Sequence, residues 1–347
     1  MTMKDSLKSC TSKNACILDF IGNTPLVEMK VDHGGVVWRF LAKLEFMNPT
    51  GSVKDRIAKY IIERAERRGE LKKDSVIVEA TSGNTGIGLA MVGAVKGYRV
   101  VIVMPEHMSV ERRKIMLNFG AELHLTPVAE GFVGARDKTV RMAANDPKVF
   151  LPRQFENPDN TECHYVTTGN EIVQQLGGAR IDAFVAGVGT GGTLMGVGRR
   201  LRETNPKCQV VAVEPAESAI ISGSKDLGPH KIAGIGDGFI PELLDVSSID
   251  GVQVIKGDDA ICMAKKVCRA YGMMVGVSSG ANILATINLL KIMGPETNLV
   301  TVLADRAERY FSTDLYECGT ETNTRYCKKK CENPFCELRI TGREECK

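Results

Sequence analysis

Between residues 75 and 126, short β-branched runs alternate with amphipathic stretches. The runs at 76–79, 99–105 and 121–126 read as strands, while 87–95 and 110–119 repeat apolar residues at helical spacing. That order, β-α-β-α-β, predicts a parallel sheet, because crossover helices join strands that run the same way. The rhythm restarts with strands at 181–186 and 209–214 on either side of a helix at 194–203. The expected fold class is therefore α/β, with two doubly wound lobes built on parallel-rich sheets. The join falls near the polar segment 156–161, and the first residues, up to about Phe46, are expected to fold back onto the second lobe. After Thr313 the apolar periodicity stops and charge and cysteine take over, which marks an appendage.

A length of 347 residues suits two lobes sharing a ligand-sized cleft better than one core. With 43% hydrophobic and 25% charged residues the chain is an ordinary globular one, which excludes disordered and fibrous classes. The 45 lysines and arginines barely exceed the 42 acidic residues and are dispersed except near the end, so no nucleic-acid-binding face is expected. The apolar runs are strand-length, too short to cross a bilayer, and residues 1–10 lack the apolar centre of a secretory signal. A cytoplasmic protein with small-molecule ligands is the expectation, and its eleven cysteines should then be reduced thiols. The five histidines, His33, His107, His124, His164 and His230, show no metal-ligand or triad spacing.

Three polar segments stand where a loop enters a helix. Gly187, Val188, Gly189, Thr190, Gly191, Gly192 and Thr193 follow a strand, so their amides and the helix N-terminus form an anion cradle. The spelling also satisfies G-x-G-x-x-G with Glu214 ending the next strand, which keeps a dinucleotide site open beside a plain tight turn. Thr190 and Thr193 favour a terminal phosphate monoester, whose three oxygens need more donors than a bridging pyrophosphate. Thr81, Ser82, Gly83, Asn84, Thr85 and Gly86 form the second such turn; it serves either as a carboxylate-binding loop or as an ordinary N-cap. The third runs from Asn48 through Pro49, Thr50, Gly51, Ser52 and Val53 to Lys54, in the first turn of a helix that ends at Gly69. A lysine there is ordinarily a solvated charge, but the helix field lowers its pKa, as an imine-forming amine requires.

In this order, the segments resemble the fold-type II pyridoxal-phosphate enzymes, tryptophan synthase β-like in architecture, and within them the O-acetylserine sulfhydrylases, or cysteine synthases. The resemblance runs from about residue 16 to 313 and also takes in Gly22, Asn23, Thr24, Pro25 and Leu26, Gln154 with Phe155, the stretch 234–239, the stretch 276–280, and 305–313. It implies a smaller mobile lobe at 48–158 and a larger lobe from 1–47 plus 159–313; the cysteine-rich extension at 314–347 stands outside the resemblance. Lys54 is implied to be the catalytic Schiff-base lysine of pyridoxal 5'-phosphate, Asn84 to bind the cofactor's phenolic oxygen, and Gly189, Thr190, Gly191, Gly192 and Thr193 to hold its phosphate. Ser278 would face the pyridine nitrogen, and Thr81, Ser82, Gly83, Thr85 and Gln154 the substrate carboxylate. A neutral serine hydroxyl does not hold a full pyridinium charge, which favours prompt loss of a β-substituent over transamination.

The implied reaction replaces the acetoxy group of O-acetyl-L-serine with sulfide, giving L-cysteine and acetate through an α-aminoacrylate, with Lys54 as the base at Cα. The family also implies a homodimer and a complex with serine acetyltransferase. Two rivals stay open: a short cystathionine β-synthase that uses homocysteine, and a regulatory homologue that chiefly docks serine acetyltransferase. Arg153 before Gln154 and Ala304 before Asp305 depart from the family pattern, and so does the tail with Cys318, Cys327, Cys331, Cys336 and Cys346. Those cysteines lack paired C-x₂-C spacing and read as reactive thiols beside lysines or as soft-metal ligands.

Overall fold

A computed structural model of the chain describes residues 15–33, 35–316 and 339–340. The tail cysteines lie outside them, as do His33's side chain and the first residues. The described chain forms two α/β layers. One is a four-stranded parallel sheet in the order β5 (Glu122–Thr126), β4 (Arg99–Pro105), β3 (Val76–Ala80), β6 (Val149–Phe150). The other is a seven-stranded mixed sheet, ordered β11 (Arg339–Ile340), β1 (Leu26–His33), β2 (Val36–Lys43), β10 (Leu299–Val302), β7 (Ala183–Gly187), β8 (Gln209–Pro215), β9 (Gly251–Ile255). From β2 to β9 its neighbours are parallel, and β1 is antiparallel to both β2 and β11.

The sequence dictates this locally. β4 is a continuous apolar run, Val100 to Met104, buried on both faces, as a central parallel strand must be. Helix α1 (Lys54–Arg68) stops at Gly69, whose φ of 73° is the left-handed cap that glycine supplies without strain. Helices α2 (Asn84–Lys96), α3 (Val110–Asn118), α4 (Gly131–Asn145), α5 (Pro158–His164) and α6 (Asn170–Gln175) follow in chain order. α7 (Gly192–Thr204) crosses from β7 to β8. α8 (Gly257–Tyr271) packs against α9 (Val277–Met293), which is apolar on all sides and runs through the larger core. The two cross so closely that a Cβ on Gly280 would sit 2.0 Å from the Ala260 carbonyl oxygen.

A charged cluster is buried where the N-terminal segment meets α1 and α6. Arg56 donates from Nε and Nη2 to Glu45 at 2.6 and 2.7 Å and from Nη1 and Nη2 to Glu171 at 2.6 and 2.7 Å. Lys43, fully buried, adds contacts to Glu171 at 2.8 Å and to the Thr24 carbonyl at 2.6 Å. Burial alone would raise both carboxyls, but the guanidinium between them holds Glu171 down to about 2 and Glu45 below its ordinary value.

Candidate active site

The loops leaving β3 and β7 face each other across a cleft between the sheets, the position where open α/β folds bind ligands. Lys54, Thr81, Ser82, Gly83, Asn84, Thr85, Gln154, Gly189, Thr190, Gly191, Thr193 and Ser278 all line it. Gly192 stands behind them in the same turn, where a Cβ would come within 2.0 Å of Asn160 Oδ1.

Lys54 opens α1. The backbone delivers it by threading between strands: Gly51 turns with φ of 87°, the Val53 amide donates to the Ala304 carbonyl at 2.9 Å, and the Arg306 amide to Gly51 at 3.0 Å. Its Nζ has no hydrogen-bond partner among the described residues. Desolvation lowers its pKa, and the carboxylates of Asp237 and Asp305 oppose that shift. Such an amine is kept closer to its neutral, nucleophilic form than a surface lysine.

Across the cleft, Gly83 donates its amide to Thr81 Oγ1 at 3.1 Å, and α2 starts at Asn84. The first-turn amides therefore lack intrahelical acceptors, at a turn whose residues line the cleft. The Thr85 hydroxyl donates to Gln154 Oε1, joining two of the candidate carboxylate-binding residues. Gln154 follows Arg153, which holds a left-handed φ of 53°. The buried Glu79 carboxyl accepts the Arg153 amide at 2.9 Å, and Asn160 Nδ2 donates to the Gln154 carbonyl at 2.8 Å. Burial pushes Glu79 up to about 8.

The cradle after β7 is built for close approach. Gly191 is left-handed at 83°, and a Cβ on Gly189 would lie 2.4 Å from the Gly234 carbonyl oxygen. Asn160 Nδ2 donates to Thr190 Oγ1 at 3.0 Å, and Asn160 Oδ1 is buried without a partner. His164 is fully buried and held neutral, its pKa driven well below the ordinary value by desolvation and then by the nearby cations Lys54 and Arg56. Its Nε2 lies 3.0 Å from Thr193 Oγ1 and its Nδ1 2.9 Å from Thr168 Oγ1. A neutral imidazole donates through one nitrogen and accepts through the other, so one of the two threonine hydroxyls keeps its proton for another acceptor. Ser278 is buried in the first turn of α9, with no protein partner for its hydroxyl among the described residues.

Residues 17–305 match the family described as pyridoxal-phosphate dependent enzyme. The chain belongs to that family. It is 48% identical over 303 residues to a cysteine synthase of Staphylococcus aureus, covering 86% of this chain and 96% of the relative. The fold matches the crystal structure of a cysteine synthase from Entamoeba histolytica with a TM-score of 0.83 at 43% identity, over 90% of this chain and 94% of that one. It also matches a hydrogen sulfide-producing enzyme of Fusobacterium nucleatum with a TM-score of 0.88 at 38% identity, over 99% of this chain and 98% of that one.

The donor set fits pyridoxal phosphate. A desolvated amine without a partner suits an aldehyde, and a glycine cradle with two threonine hydroxyls at a helix N-terminus suits a phosphate monoester. A hydroxyl at the start of α9 suits a pyridine nitrogen. Sequence reasoning did not single out Glu79, Asn160, His164 or Arg309. Asn160 and His164 are some thirty positions from the loop they support, at 3.0 Å from Thr190 and Thr193, and no local spelling marks them.

Proposed function

We propose that this protein is a cysteine synthase that replaces the acetoxy group of O-acetyl-L-serine with sulfide. The observation that carries the reading is the partnerless Lys54 amine, set in one cleft with the Thr81–Thr85 turn on one side and the glycine cradle on the other. The bound cofactor supplies an electron sink that acidifies Cα of an amino acid and lets its β-substituent leave. Lys54 would hold the cofactor, and its amine would carry the proton to and from Cα of the substrate. Asn84 would donate to the cofactor's phenolic oxygen, Gly189 through Thr193 would hold its phosphate, and Ser278 would meet its ring nitrogen. Thr81, Ser82, Gly83, Thr85 and Gln154 orient the substrate carboxylate, and the residues around Gln154 help to exclude water.

A homodimer, a cytoplasmic location and docking of serine acetyltransferase belong to the same reading. No helix among the described residues is long and apolar enough to cross a membrane. The test is cysteine formation from O-acetylserine and sulfide, with Lys54→Ala alongside. Formation by the wild type and its loss in Lys54→Ala are expected; turnover at the wild-type rate in Lys54→Ala would overturn the assignment.

Asp237 favours a second reading, release of sulfide from a thiol amino acid. Its carboxylate lines the same cleft as Lys54, and the two groups act on each other electrostatically. A carboxylate so placed can take the proton of a thiol or of water as either adds at the β-carbon. Sulfide release from L-cysteine alone, lost in Asp237→Asn while cysteine synthesis persists, would establish this activity; no release from the wild type would exclude it.

A further inference from the structure

Asn84 does not hold its own orientation. Its side-chain oxygen accepts a hydrogen bond from Arg309 Nη1 at 2.7 Å, and its nitrogen donates to Asp305 Oδ2 at 2.7 Å. Arg309 carries only donors and Asp305 here only acceptors, so the amide has a single allowed orientation. One Nδ2 hydrogen remains for a ligand in the cleft. Tyr310 donates its hydroxyl to the same Asp305 oxygen at 2.6 Å, while Asp305 Oδ1 is buried without a partner. Arg309, Asp305 and Tyr310 are all essentially buried, with relative exposures of 3, 1 and 3%.

The same arginine reaches the segment that leads into Lys54. Its Nη1 also donates to the Gly51 carbonyl at 3.2 Å, and Nη2 to the Thr50 carbonyl. Asp305 pairs as an isolated bridge with Ser52, and its charge acts on Lys54. One short segment, 305–310, thus touches both the turn that leads into Lys54 and Asn84 itself, at the starts of two different helices.

We infer that Arg309 and Asp305 are positioning residues: they fix the amide of Asn84 and tie it to the Thr50–Gly51 turn, setting the distance between Asn84 and Lys54. The inference rests on the reading of Asn84 as a cofactor contact. A lysine at 309 keeps the charge but concentrates its donors at one atom, so it cannot span the Asn84, Gly51 and Thr50 oxygens together.

The test compares wild type, Arg309→Lys, Tyr310→Phe and Asn84→Ala by two readings besides turnover: the visible absorbance maximum of bound pyridoxal phosphate across pH, and its dissociation constant by equilibrium dialysis. Arg309→Lys is expected to weaken binding about tenfold, the effect of one lost buried hydrogen bond to a charged group, and to displace the absorbance maximum in the same direction as Asn84→Ala. Tyr310→Phe should give a smaller change of the same kind. A merely structural role would lower the melting temperature while leaving the maximum and the dissociation constant at wild-type values, and that result in either variant overturns the inference. Should Arg309→Lys fail to fold, Tyr310→Phe decides alone. Wild-type readings in Asn84→Ala would sink the reading of Asn84 itself and the inference with it, whereas an altered Asn84→Ala beside unaltered Arg309→Lys and Tyr310→Phe would sink the inference alone.

Discussion

Glu79 ends β3 with a carboxyl that is buried, at 5% exposure, and pushed up to about 8 from an ordinary 4.5 by that burial. Two backbone amides, of Arg153 and Gln154, pull the other way and do not win. A carboxyl whose pKa is raised by folding costs nothing below its unfolded value, because both states are then protonated. As pH rises above 4.5 the unfolded chain releases the proton and the folded chain keeps it. Stability therefore falls by about 1.4 kcal/mol per pH unit, reaching about 3 kcal/mol at pH 7 and levelling near about 5 kcal/mol above pH 8. Glu79→Gln keeps the shape and cannot ionise. The variant should match the wild type near pH 4 and exceed it by about 3 kcal/mol at pH 7, measured by urea unfolding of both proteins at each pH. If Glu79→Gln is the less stable protein at pH 8, Glu79 is an ionised acceptor for the two amides, and the argument from desolvation is wrong.

Gly189→Ala places a methyl group 2.4 Å from the Gly234 carbonyl, so the cradle must shift; kcat/KM should fall on the order of 100-fold, and a value within threefold of wild type would show that the turn has slack. Arg56→Met strands Glu45 without its counter-ion and should cost about 3–5 kcal/mol in urea unfolding; a loss below about 1 kcal/mol would show that the cluster is dispensable. Because folding depresses the Glu45 and Glu171 carboxyls, their stabilisation is present above about pH 4.5 and is lost as pH falls below it, for Glu171 towards about 2, so the wild type should lose stability with falling pH more steeply than Arg56→Met.

The elements that were legible in the sequence are those whose burial leaves a one-dimensional mark. β4 falls at 99–105 as expected, because a central parallel strand is apolar on both faces and ends at Pro105. α2 and α7 begin at Asn84 and Gly192, earlier than the expected 87 and 194, since their polar first turns carry no apolar periodicity. That difference matters chemically, for it places the candidate binding residues inside helix N-termini. β1 and β2 were expected only as a folded-back segment, since their alternating polar residues reflect an antiparallel pair near the sheet edge. α9, apolar all round, lacks the amphipathic period that marks a surface helix.

The glycine and threonine turns could be read because their chemistry is local. Supports such as Asn160 for Thr190, or Arg309 for Asn84, could not, since chain folding alone brings them within 3.0 Å. Arg153 looked like a minor departure beside Gln154. Its left-handed φ of 53° and its amide bond to Glu79 make it part of the turn that presents that glutamine.

The visible absorption spectrum of the purified protein with pyridoxal phosphate, followed through addition of O-acetylserine and then sulfide, tests the cofactor, Lys54 and the proposed reaction together. A cofactor band that changes with O-acetylserine and returns with sulfide as cysteine appears is the expected result. A Lys54-dependent band that ignores O-acetylserine would contradict the proposed substrate, and the absence of any protein-bound band would contradict the site.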